Sequence, residues 1–143
     1  MSTGDLMSKI LAVPVGKVVD VLGQVLECKI KINIIEQNTV SAHKFVRKVT
    51  ISANEFPVIK ALVKFDSSVL PEIIVNQLLQ KKDGIGDILT QNNIHATRNV
   101  ISVNHNLDES KVSREYEIIH NGIVWFTIME EIRLGNLGSY KNS

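Results

Sequence analysis

The stretch Val112-Ser113-Arg114-Glu115-Tyr116-Glu117-Ile118-Ile119-His120-Asn121-Gly122-Ile123-Val124-Trp125-Phe126-Thr127-Ile128-Met129-Glu130-Glu131-Ile132-Arg133-Leu134 decides how this chain is read. Two runs, Val112 to Ile119 and Ile123 to Leu134, alternate apolar and polar side chains around His120-Asn121-Gly122, which reads as an antiparallel hairpin with one dry face. In the first run Val112, Tyr116 and Ile118 share a face with Arg114. In the second, Val124, Phe126, Ile128 and Ile132 share a face with Glu130, and Trp125 lies on the other. A two-residue turn at Asn121-Gly122 sets Glu115 and Glu117 on the face of Phe126 and Ile128. A three-residue loop aligns Ile118 with Val124 and Tyr116 with Phe126, Gly122 taking the left-handed position. Matching of faces favours the three-residue loop, which lays Arg114 opposite Ile128 and one diagonal from Glu130.

Upstream of the hairpin the same alternation recurs. Val15, Val18, Val19, Leu22, Val25 and Leu26 fall at helical spacing over residues 15–27. Ile30, Ile32 and Ile34 alternate with Lys29, Lys31 and Asn33 as a strand, and residues 37–42 are polar and loop-like. A strand from His43 to Ser52 turns at Ala53-Asn54-Glu55-Phe56-Pro57 into a return strand with Ile59, Ala61, Val63 and Phe65 on one face. Asp66-Ser67-Ser68 and Pro71 open a helix that stops near Lys81-Lys82. Asp83-Gly84-Ile85-Gly86 bends into a short helix, Asp87 to Gln91; Ile94 to Val103 reads as a strand, and Leu107 to Lys111 as a charged turn. The order is helix, three strands, two helices, three strands. Short connections pair neighbouring strands antiparallel, so the class is α+β: a single antiparallel β-sheet of about six strands with helices over part of it.

A chain of 143 residues fits one domain, with a core over 15–134 and a polar tail at 135–143. With 44% hydrophobic and 22% charged residues it is not a disordered chain. A net charge of +1 and the lack of a Lys/Arg run give no nucleic-acid footprint. No apolar run approaches the roughly 18 residues of a membrane span, and Met1 to Leu6 does not read as a signal peptide. The expectation is a protein of the cytoplasm or a plastid stroma, without membrane partner. Cys28 is the only cysteine, and His43, His95, His105 and His120 lack ligand spacing, so no metal is expected. Gly84-Ile85-Gly86 lacks the rest of a phosphate loop. Ser52, Ser102 and Ser113 lack a nucleophile-elbow context.

The informative residues are charges on apolar faces. Arg47 shares its face with Phe45, Val49 and Ile51, and has no partner in its own hairpin. An arginine so placed suits a carboxylate ligand, which its planar fork binds through two parallel hydrogen bonds. A glutamate in apolar walls, Glu130, tends toward a raised pKa and general-acid chemistry. Arg114 is either its structural partner or a second anion clamp. The pattern describes a pocket that grips a small organic acid.

The same residues carry a likeness. Phe45-Val46-Arg47-Lys48-Val49, Pro57 and Leu70-Pro71, then Gly84-Ile85-Gly86-Asp87-Ile88-Leu89, then Arg114-Glu115-Tyr116, Asn121-Gly122 and Met129-Glu130 resemble the chorismate pyruvate-lyase family, nearest its shorter branch. The resemblance spans roughly residues 15–134. It implies an antiparallel sheet whose helices enclose a buried pocket. It implies an enzyme, a lyase that splits chorismate into 4-hydroxybenzoate and pyruvate with no metal or cofactor. Arg47 matches the arginine that holds the ring carboxylate and Glu130 the glutamate that protonates the ether oxygen. Ile85 matches a position whose backbone N–H meets the ring carboxylate, and Val18 another pocket-lining position. The last strand is one residue longer after Gly122 than in the best-studied lyases, and alternation selects Glu130 over Glu131. The alternative is a non-catalytic domain of the same fold that binds a small aromatic acid, as in the effector-sensing domains of some bacterial regulators.

Overall fold

In the computed structural model, which describes residues 3–105 and 111–134, six strands form one antiparallel sheet ordered β1-β2-β3-β6-β5-β4. The strands are β1 (Ile30–Ser41), β2 (Lys44–Ala53), β3 (Phe56–Asp66), β4 (Thr97–His105), β5 (Lys111–His120) and β6 (Ile123–Arg133). Helices α1 (Thr3–Ala12) and α2 (Val18–Leu26) precede the first three strands; α3 (Glu72–Leu79) and α4 (Ile85–Gln91) separate them from the last three. Each half is therefore an up-and-down meander of three strands. The halves join where β3 pairs with β6, in the register Ile59↔Ile132, Ala61↔Glu130 and Val63↔Ile128. The α+β class and the single antiparallel sheet agree with the alternation in the sequence.

Several boundaries and one register differ from the reading of the sequence. The amphipathic helix α1 lies upstream of the expected core, with Leu6, Met7 and Ile10 buried. Residues 37–41, read as loop, extend β1. Edge strands have one solvated face, and bulges between Ile34 and Glu36 and between Thr39 and Ser41 interrupt the alternation that marks a strand. Helix α4 begins at Ile85, with Gly84 extended before it, rather than at Asp87. Of the charged turn at 107–111, only Lys111 falls within the described residues, as does none of the tail 135–143.

The register of the β5–β6 hairpin differs as well. The turn is the two-residue Asn121-Gly122, both at positive φ (51° and 76°). His120 pairs with Ile123 and Ile119 with Val124, but Ile118 pairs with Phe126, leaving Trp125 as an extra residue. The bulge reconciles a tight turn with matched faces, an outcome that neither simple loop length allows. It also rotates Trp125 (5% exposed) into the core beside Phe126, correcting its placement on the opposite face. Downstream, Tyr116 stands opposite Ile128, and Arg114 directly opposite Glu130.

All four helices pack on one face of the sheet and form two cores. One joins α3 and α4 to Val63, Phe65, Tyr116, Ile118, Phe126 and Ile128. The other joins α1 and α2 to Ala53, Val58, Ile59, Val112 and Ile132. Between them the sheet crosses one mixed row, Val49–Ala61–Glu130–Arg114. Ala61 is the small residue in that row, and space opens above it.

Candidate ligand pocket

The space between the two cores is a cavity of about 100 Å³. Its floor is the inner face of the sheet, with Val49, Ala61, Val63, Ile128 and Glu130. Its roof is the start of α2, through Val15, Gly16, Val18 and Val19, and the start of α4, through Gly84, Ile85, Gly86 and Asp87. Arg98 and Tyr116 close one side. The lining is mostly apolar with a few converging polar groups, the usual make-up of a small-molecule site. The volume is below the roughly 300 Å³ at which drug-sized sites begin, so it suits a ligand no larger than about one ring.

The roof depends on a close glycine contact. A Cβ on Gly86 would lie 2.5 Å from Gly16 Cα and 3.1 Å from Gly16 N, and Gly16 itself sits at φ +87°. Both obstructing atoms are backbone, so the two roof segments must part to admit a methyl group. Gly86→Ala is expected to cost about 1–3 kcal/mol, the usual range for overpacking, seen as a drop in thermal midpoint. An unchanged midpoint would show that the seam is looser than drawn.

The polar groups form a tight set. Arg114 Nε donates to Glu130 Oε1 at 2.7 Å, and Tyr116 Oη donates to Glu130 Oε2 at 2.9 Å. Arg114 Nη1 also reaches the Leu11 carbonyl at 3.2 Å. The structure therefore makes Arg114 the partner of Glu130 through a nearly buried ion pair. Burial, with the Glu130 carboxylate second, pushes the Tyr116 phenol far above its ordinary pKa, so it remains a donor. The Arg114 guanidinium stands 4.8 Å and that of Arg98 4.7 Å from the Tyr116 ring centre, within cation–π range.

Arg98 is the cation with capacity to spare. Its Nη1 donates to the Val13 carbonyl at 2.6 Å. Its Nε is buried and has no acceptor among the described residues. Leaving such a donor unsatisfied costs about 1–3 kcal/mol, a cost that an acceptor in the cavity would remove. Asp87, at the roof, has its carboxyl pKa raised, first by burial and then by the negative charges of Asp83 and Asp20.

Arg47 is placed differently from the sequence expectation. It is fully buried, outside the cavity lining, and its three donor groups are engaged. Nε donates to Gln37 Oε1 at 2.7 Å, Nη2 to the Leu78 carbonyl at 2.9 Å, and Nη1 to the Asp83 carbonyl at 2.8 Å. Gln37 is its register partner on β1 and in turn donates to the Leu78 carbonyl at 3.0 Å, so Arg47 does have a partner in its own hairpin. Reading 37–42 as loop hid that partner. Arg47 satisfies carbonyls at the end of α3 and in the link to α4, and so holds the segment that leads into the roof. Burial lowers its pKa to about 10, opposed by the nearby Asp83 charge, which leaves it cationic at neutral pH.

Of the residues singled out in the sequence, Glu130, Ile85 and Val18 line the cavity, Arg114 backs Glu130, and Arg47 supports the wall from outside. Arg98 was missed. It lies on an edge strand with a bulge between Val100 and Ser102, where alternation gives no face, and only its pairing with Ile118 brings it to the cavity. Among the described residues no three His, Cys, Asp or Glu side chains gather as a metal site, and no helix is long and apolar enough to cross a membrane.

No protein-family model matches the sequence, and no curated protein matches it. Solved structures do. The ligand-binding domain of a protein assigned to the GntR family of transcriptional regulators, from Bordetella bronchiseptica, superposes with a TM-score of 0.50 at 9% identity, over 73% of this chain and 82% of that one. This chain shares the fold of that domain. YydK of Bacillus subtilis, described as a possible transcriptional regulator, gives a TM-score of 0.54 at 10% identity over 77% of this chain, which spans only 61% of that one. The C-terminal domain of YurK, also from Bacillus subtilis, gives 0.51 at 11% identity over 73% of this chain and 90% of that one.

The expectation of a lyase is corrected here. The structures named above are described as the ligand-binding domain of a regulator and as a possible regulator, not as lyases. In the site, both Glu130 oxygens accept hydrogen bonds, from Arg114 and from Tyr116, and Arg47 donates to groups outside the cavity lining. The likeness to the chorismate pyruvate-lyase family extends to the antiparallel sheet and its covering helices.

Proposed function

We propose that this chain is a non-catalytic binding domain for a small anionic molecule, a carboxylic acid of about one ring. The observation that carries this reading is Arg98: a guanidinium lining a mostly apolar cavity, with a buried Nε that lacks an acceptor. A carboxylate there satisfies Nε and gains a charge-assisted bond, stronger than a neutral one. Glu130, whose oxygens each accept one bond, retains lone pairs for a ligand hydroxyl. Val18 and Ile85 supply apolar walls for the ring. Regulators that share the fold, one of them represented by its ligand-binding domain, support a sensing role.

Calorimetric titration tests the reading. 4-Hydroxybenzoate is expected to bind and 4-hydroxybenzyl alcohol, of the same shape but neutral, to bind far more weakly. Chorismate is expected to release no pyruvate above background. Equal affinity for acid and alcohol, or no binding of any single-ring carboxylate to folded protein, would remove the basis of the proposal.

A further inference from the structure

Charge inside the cavity is unevenly settled. Among the described residues, three charged side chains line it: Asp87, Arg98 and Glu130. Glu130 is neutralised by Arg114 at 2.7 Å and accepts from the Tyr116 hydroxyl besides. Arg98 and Asp87 remain. Neither takes part in an ion pair among the described residues, with the other or with any third side chain. A cation and an anion therefore stand in one cavity of about 100 Å³ without meeting.

Different parts of the fold hold the two charges in place. Arg98 lies on β4 and closes one side, fixed by the pairing with Ile118 and by its bond to the Val13 carbonyl. Asp87 lies in the first turn of α4, in the roof. The close approach of Gly86 to Gly16 seats that turn against the segment leading into α2. Partial burial first, and then the negative charges of Asp83 and Asp20, raise the Asp87 carboxyl pKa. Asp83 precedes α4 and Asp20 belongs to α2, so both segments of the roof bring negative charge to the same place. A plain monocarboxylate satisfies Arg98 and leaves that charge unanswered. A dicarboxylate sets charge against like charge. A ligand with a carboxylate at one end and a cation at the other meets both poles.

We propose, resting on the reading of this cavity as an acid-binding site, that its ligand is a zwitterion: a single-ring carboxylic acid that also carries a protonated amine, with the carboxylate on Arg98 and the ammonium at Asp87. Every charge in the cavity then has a partner. Arg98 meets the ligand carboxylate, Asp87 the ligand ammonium, and Arg114 keeps Glu130. Both new contacts are charge-assisted hydrogen bonds. Val18 and Ile85 pack on the ring between the two poles. The amine sits on a carbon arm or a saturated ring, because an amine bonded directly to an aromatic ring is not protonated at neutral pH. Asp87 is thereby the residue that selects among acids, admitting amino acids of this kind and turning away dianions.

Calorimetric titration of the whole chain with matched acids tests this. 4-(Aminomethyl)benzoate and 4-ethylbenzoate share length and shape and differ by an ammonium in place of a methyl group. The 3-isomers form a second pair and cover a shorter span between the poles. At low ionic strength at least one aminomethyl acid is expected to bind about fivefold or more tightly than its ethyl counterpart, the scale of a partly exposed ion pair. The advantage is expected to shrink as salt is added. The dianion 4-(carboxymethyl)benzoate is expected to bind about tenfold more weakly than 4-ethylbenzoate. In Asp87→Asn the preference for the amine is expected to fall to within about twofold. Asp87 is exposed at the rim, and circular dichroism checks that the variant is folded. Ethyl acids that bind as tightly as their aminomethyl counterparts in both pairs would overturn the zwitterionic ligand and leave the acid-binding reading standing. So would a dianion bound as tightly as 4-ethylbenzoate, or a preference for the amine that survives in Asp87→Asn. If none of the five acids binds, the zwitterionic ligand is overturned, and the titration with 4-hydroxybenzoate decides whether the acid-binding reading falls with it.

Discussion

Arg47→Ala is expected to destabilise the domain by about 3–5 kcal/mol, from lost hydrogen bonds to buried acceptors together with a cavity. Arg47 is 0% exposed and donates to the Gln37 side chain and the carbonyls of Leu78 and Asp83. Alanine leaves three acceptors with reduced or no satisfaction and removes a side chain that β2, β1 and the α3–α4 link are built around. In a chain of 143 residues such a loss corresponds to a fall in melting temperature of about 10 °C or more. Arg47→Met separates the two contributions, since it keeps most of the volume and loses every donor; it should recover part of the loss. Denaturant unfolding of the three proteins decides the matter. If Arg47 were a ligand anchor poised in an open site, truncation would instead abolish binding with little change in stability. That result would overturn the structural role assigned to it here.

The second large effect concerns Arg98, and its signature is the reverse. Arg98→Gln is expected to weaken binding of 4-hydroxybenzoate by about 100-fold or more, the scale seen when one member of a desolvated charge pair is truncated. Stability should change little. Arg98 makes one hydrogen bond, to the Val13 carbonyl, and glutamine can retain part of it while the buried unsatisfied Nε disappears. The readouts are the dissociation constant by calorimetry and the urea midpoint of the free protein. A variant that binds the acid as tightly as the wild type would shift the anchor elsewhere. Arg114 is the next cation, but it is committed to Glu130 at 2.7 Å. Together the two variants form a contrast: Arg47 governs folding with the cavity as its consequence, while Arg98 governs the ligand with the fold left intact.

Much of the architecture was legible in the order of residues. Period-two alternation in β3, in β5 and in β6 beyond its bulge set which side chains face inward, because a strand buried on one face has no freedom to exchange its two sides. That alternation exposed Arg47, Arg114 and Glu130 as charges among apolar neighbours, and all three lie on the helix-covered face. The amphipathic periods of α2 and α3 were equally plain, since each must bury one stripe.

What the sequence did not disclose depends on contacts between distant segments. The β5–β6 register turned on a bulge at Trp125, whose position follows from how Phe126 and Ile118 pack rather than from the Asn121-Gly122 turn. The partner of Arg47 lay hidden in Gln37, on an edge strand whose bulges break the pattern and whose polar residues imitate a loop. Arg98 carried no signal at all: it reaches the cavity because β4 pairs with β5 at Ile118, and its free Nε exists because only Val13 comes near enough to accept a bond. Alternation is local and records which face a residue occupies. Which buried charge is satisfied and which is left for a ligand is settled by carbonyls and side chains that only the tertiary fold brings within hydrogen-bonding reach.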